Sequence, residues 1–123
     1  MSQLPTLCSV PLPEEDVALV RNYVDALNAD MPAHASSQLR YRLDIYRNAV
    51  TVVECRSMDP DNPAGDWFEV FVARLRFTRS RGWELYWPDR DSNFHVYDPA
   101  EPTQDVTLLL AEIENDPTGI FFG

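Results

Sequence analysis

W-F-E-V-F-V-A-R-L-R-F-T-R-S-R-G-W-E-L-Y-W-P-D-R-D-S-N-F-H-V-Y-D-P, residues 67–99, is the stretch whose reading decides the fold. Apolar and polar residues alternate from Phe68 to Thr78 and again from Trp83 to Trp87, on either side of the Gly-bearing turn Arg79-Ser80-Arg81-Gly82. A short third run, Phe94 to Val96, follows a polar turn over residues 88–93. A period of two interrupted by turn residues is the signature of an antiparallel meander. Phe71, Ala73, Leu75 and Phe77 share one face with Trp83, Leu85, Trp87, Phe94 and Val96, which makes that face the core side. Val70, Val72, Arg74 and Arg76 fall on the other, together with His95 and Tyr97.

Upstream, Leu39, Tyr41, Leu43 and Ile45 alternate with Arg40, Arg42, Asp44 and Tyr46. Arg47-Asn48-Ala49 then turns the chain into the run Val50 to Arg56. Setting Leu43 opposite Val53 places Tyr41 opposite Cys55 inside and Arg42 opposite Glu54 outside, a register that pairs opposite charges. A slip by one residue would reverse the faces of the second strand. Residues 57–66, S-M-D-P-D-N-P-A-G-D, read as the longest loop.

Two amphipathic segments flank the strands. Pro13, Glu14, Glu15 and Asp16 open a helix over 14–29 whose apolar stripe is Val17, Val20, Val24 and Leu27; acids in its first turn complement the dipole. Thr103 is the expected N-cap of a last helix with the stripe Val106, Leu109, Leu110 and Ile113. The apolar tail Gly119-Ile120-Phe121-Phe122-Gly123 is expected to pack back on the core. The fold class is therefore α+β: a two-layer sandwich of helix, four- or five-stranded antiparallel meander, and helix, both helices on one sheet face. Residues 1–13 read as an extended lead-in and 14–123 as a single domain.

The chain has 123 residues and a net charge of −10, from ten basic and twenty acidic side chains. All the basic residues are arginine. Residues 39–81 hold most of them and are net basic, whereas both flanks are acidic. Such an excess of anions repels polyphosphates at long range, so nucleic acid is disfavoured as a partner. No apolar run is long enough to span a bilayer, and the first residues lack a signal-peptide pattern, so a cytoplasmic location is the default and no membrane is involved. Cys8 and Cys55 are expected as free thiols in that setting.

The motifs Trp83-Glu84-Leu85-Tyr86-Trp87, Arg90-Asp91, Phe94-His95-Val96-Tyr97-Asp98-Pro99, Leu109-Leu110-x-Glu112-Ile113 and Asp116-Pro117-x-Gly119-x-Phe121-Phe122-Gly123, with Arg40 to Leu43 upstream, resemble a bacterial family catalogued as domain of unknown function 3024. The likeness covers roughly residues 14–123. The chain departs from it in carrying Phe94 and Phe122 where relatives have tryptophan, which keeps a ring but loses an indole N–H. The resemblance implies bacterial origin and a single-domain fold, and it brings no activity with it.

Three site readings stay open. Arg40, Arg42, Arg56, Arg74 and Arg76, interleaved with Tyr46 and Tyr86, suit an anion or a single-stranded nucleic acid stacked on a sheet face. Alternatively they pair with Asp44, Glu54, Glu69 and Glu84 on a solvated face, which Val52, Val70 and Val72 would make partly apolar and open to a protein partner or a second copy. Asp89-Arg90-Asp91-Ser92-Asn93 begins like a calcium loop but has Phe94 and Ala100 where such a loop needs Gly and Glu. His95 beside Asp91, Tyr97 and Asp98 is the one cluster suited to acid–base work, and no nucleophile with a partner base accompanies it. The balance is against an enzyme and against any cofactor, and for a small interaction or accessory module acting through its surface.

Overall fold

The computed structural model describes residues 12–36, 38–59, 61–62 and 65–122. The expected lead-in over 1–13 lies outside the described residues as far as residue 11, as does Cys8. The elements run α1 (Glu14–Ala29), α2 (Ala33–Ser36), β1 (Leu39–Tyr46), β2 (Ala49–Ser57), β3 (Trp67–Thr78), β4 (Gly82–Pro88), β5 (Phe94–Val96) and α3 (Val106–Asn115). The strands form one antiparallel sheet in sequence order, β1-β2-β3-β4-β5. Val20 and Val24 of α1 share a buried cluster with Val106, Leu109, Leu110 and Ile113 of α3 and with Val50, Leu75, Trp83 and Leu85 of the sheet. Both helices thus roof the same face. No helix among the described residues is long and apolar enough to cross a membrane.

Polar anchors fix the roof. The indole N–H of Trp83 donates to Asp16 Oδ2 at 2.9 Å, so an acid in the first turn of α1 also satisfies the most buried donor of β4. α3 is capped by Asp105, whose carboxylate accepts from Thr107 N, and not by Thr103 as expected. Thr103 instead pairs its backbone with Trp83, extending the ladder along the free edge of β4. The tail folds back: Asp116 accepts from the backbone N–H groups of Phe121 and Phe122, and Phe121 packs on Tyr97 with ring centroids 5.0 Å apart.

Three face assignments are corrected. In the β1–β2 hairpin Leu43 faces Val52 and Tyr41 faces Glu54, one residue away from the expected register. The cause is the turn: Arg47 adopts φ 54, so Arg47 and Asn48 alone connect Tyr46 to Ala49. Val52 is consequently in the core, and Thr51, Val53 and Cys55 face away from the helices. The β2–β3 register jumps between Val52, opposite Ala73, and Val53, opposite Phe71. Val72 is the extra residue of a β-bulge, which lets Val72 and Ala73 both enter the core and turns Phe71 to the outer face. In β5, Phe94 and Val96 pair with Pro88 and Tyr86 on the outer face. His95 and Tyr97 are therefore on the helix side, with Tyr97 fully buried.

Candidate functional site

Among the described residues no helix lies over the outer face, which is closed by its own side chains. Arg42 donates to Asp44 and reaches across β2 to Glu69, where its Nε lies 3.1 Å from Oε2. Arg42 and Glu69 are the ladder partners of Val53 and Cys55, which are 0% and 7% exposed although no helix among the described residues covers them. The two acids, Glu69 foremost, hold the Arg42 guanidinium firmly charged. Arg40 stacks 3.8 Å over the ring of Trp67. At this end of the face the arginines are spent on carboxylates and rings.

The other end is different. Alternate residues of β1, β2, β3 and β4 line up as Asp44, Thr51, Arg74 and Tyr86, and they floor a half-open groove of about 560 Å³. Phe71, Arg76, Tyr46 and the hairpin turn Arg47-Asn48 complete its walls. Arg74 is half-buried and locked in place. Its Nε donates to Thr51 Oγ1 at 2.9 Å, and its guanidinium plane lies 4.0 Å over the ring of Phe94, which packs in turn on Phe71 at 5.5 Å. Among the described residues neither Arg74 nor Arg76 has a carboxylate within ion-pair distance. Asp44 is engaged by Arg42, and Glu84, opposite Arg76 in the ladder, lies 3.6 Å from Arg81 instead. Burial, then repulsion from Arg76, pulls Arg74 below the usual arginine range, opposed by Asp44. Among the described residues the Nη groups of these two cations thus have no carboxylate partner.

The structure brings together Arg74, Arg76 and Tyr86 of the residues singled out in the sequence, and leaves Arg40 and Arg42 on the occupied end. Arg56 lies on the opposite face, where Glu54 accepts from both its Nε and the hydroxyl of Tyr41. Asp91 and His95 lie apart, at the β4–β5 turn. Asp89 Oδ1 accepts from Asp91 N and Asn93 N, and Asp89 Oδ2 meets His95 Nε2 at 2.8 Å. The His95 hydrogen bond, with help from Asn93 N–H, holds the Asp89 carboxyl below its ordinary range. His95 also stacks on Trp87, so this cluster is organised around a turn and a ring. Val52 and Val72 are core residues and Val70 faces the helix side, so the outer face has no valine stripe of the expected kind for a second copy to cover. The sequence reading missed Thr51, Phe71 and Phe94, all of which it put on the wrong face, and Arg47. Counting a two-residue turn between Tyr46 and Ala49 would have found Thr51.

A family model described as "Domain of unknown function (DUF3024)" matches residues 10–123. No curated protein and no solved structure matches the chain.

Proposed function

From the premise that the chain belongs to the DUF3024 family, a domain of unknown function, we propose that it is a non-enzymatic accessory module of the bacterial cytoplasm that binds a small anion on the open face of its sheet. One observation carries this reading: the half-buried Arg74, immobilised by Thr51 and Phe94, beside Arg76 and, among the described residues, without a carboxylate at ion-pair distance. Keeping the half-buried Arg74 charged beside a second cation has a cost that a bound anion would offset. On a chain with twice as many acids as bases, leaving this pair without a protein carboxylate suits an external anion. The rigid placement of Arg74 lowers the ordering cost of binding. Among the described residues the lining of the groove has no nucleophile paired with a base, which supports binding over catalysis.

Titration with millimolar inorganic phosphate, sulfate and benzoate, followed by backbone amide shifts, tests it. The amides of Thr51, Arg74, Arg76 and Tyr86 should move in saturable fashion, and Arg76→Gln should weaken binding at least about tenfold, the scale of a charged hydrogen bond. Arg40→Gln, on the occupied end, should leave it unchanged. Equal responses from wild type and Arg76→Gln would remove the proposal.

A further inference from the structure

Resting on that reading, we infer that the ligand of the groove is a phosphate monoester carrying a flat, apolar group. Arg74 and Arg76 are alternate residues of β3 on one face, so their Cα atoms are about 7 Å apart along the strand. From that spacing the exposed Arg76 can turn toward the fixed Arg74 so that both forks converge on one tetrahedral group. Arg74 offers that group only its Nη edge, because Phe94 covers its plane and Thr51 takes its Nε. A carboxylate has two oxygens and one charge, which fills one such fork. A phosphate monoester has three terminal oxygens and a charge of roughly −1.5 to −2 at neutral pH, which fills two.

The remaining walls choose the rest of the molecule. Tyr46, Phe71 and Tyr86 present aromatic surface within the same groove; Tyr46 is 68% exposed, with the Arg47 guanidinium 5.3 Å over its ring. A volume of about 560 Å³ far exceeds one phosphate group and falls in the range typical of small-molecule sites. The occupant is therefore a compact ester, not a bare ion.

Isothermal titration of the full chain with phenyl phosphate, inorganic phosphate, isophthalate and benzenesulfonate, each at about pH 7.5 and about pH 5, separates the possibilities. Phenyl phosphate should bind about tenfold or more tightly than inorganic phosphate or isophthalate at the higher pH. It should lose up to about tenfold at the lower pH, because its second proton returns with a pKa near 6. Asp44 of β1, Glu84 of β4 and the hydroxyls of Tyr46 and Tyr86 face the same cations. Benzenesulfonate, whose charge is constant, reports any pH effect of theirs and should bind equally at both. Isophthalate binding as tightly as phenyl phosphate would overturn the phosphate assignment and leave the anion reading standing. So would a matching pH response from benzenesulfonate, or none from phenyl phosphate. Inorganic phosphate matching phenyl phosphate would overturn the aromatic group. Silence from all four anions would overturn the reading beneath.

Discussion

Gly82 has φ 79, and a β-carbon built on it would stand 2.6 Å from the carbonyl oxygen of Thr103. That contact exists because Thr103 docks its backbone on Trp83, the residue next to Gly82. Gly82→Ala meets both a strained φ and a backbone neighbour that cannot rotate away, so urea denaturation should show a loss of about 1–3 kcal/mol. Three tyrosine hydroxyls set the alkaline limit. Burial first, then Glu54, pushes Tyr41 up to about 12; burial and the bond to Glu114 raise Tyr23; burial and the bond to Glu112 raise Tyr97. The unfolded chain releases these protons near pH 10, whereas the folded chain keeps them, so unfolding takes up no proton below that point and releases them above it. Stability should therefore hold up to about pH 10 and fall as the pH climbs toward 12. Urea midpoints at pH 9, 10 and 11 check this, and Tyr41→Phe should flatten part of the fall. An unchanged midpoint across that window would contradict the tyrosine–glutamate pairs.

At the scale of elements, β1 is an edge strand, and α1 blunts it. The side chain of Asn28 donates to Tyr41 O at 2.9 Å and accepts from Tyr41 N at 2.8 Å, standing where a neighbouring strand would. Asn28→Ala should cost about 1–2 kcal/mol, speed amide exchange at Tyr41 and increase self-association. Element types were legible because helix and strand periods differ: α1 spans the expected 14–29, and all five strands are within one residue of expectation at each end. Faces were less legible, because a one-residue event inverts everything beyond it. The two-residue turn at Arg47 hid Thr51, and the bulge at Val72 hid Phe71; both events come from backbone conformation that alternation does not encode. In β5 the alternation was read correctly and anchored to the wrong face, since Tyr97 rather than Phe94 is the core aromatic. The arginines of the groove were visible; the neutral partners that fix Arg74, Thr51 and Phe94, were not. Val72→Asp discriminates the two pictures. An outward Val72 would accept the carboxylate, whereas the observed bulge, with Val72 2% exposed, should lose more than about 3 kcal/mol.

For the whole molecule, the charge pattern separates what the groove can hold from what the protein can approach. The chain carries −10 overall, yet Arg74 and Arg76 form a local positive site, so near and far fields have opposite sign. A small anion inside the groove lies in contact with the guanidinium groups. The Debye length shortens to about 8 Å at physiological salt, so added salt removes the distant repulsion while weakening the contact pairs less. The two effects oppose each other, and the affinity of phenyl phosphate should change by less than about threefold between 20 and 150 mM salt. A polynucleotide extends past the groove across a molecule of net charge −10, so its further phosphates add long-range repulsion. A twenty-nucleotide oligothymidylate should therefore bind no more tightly than phenyl phosphate at either salt concentration, as read by fluorescence anisotropy against calorimetry. Tighter oligonucleotide binding that falls steeply with salt would show that the basic strands act as one continuous track, and would move the site from the groove to the whole outer face.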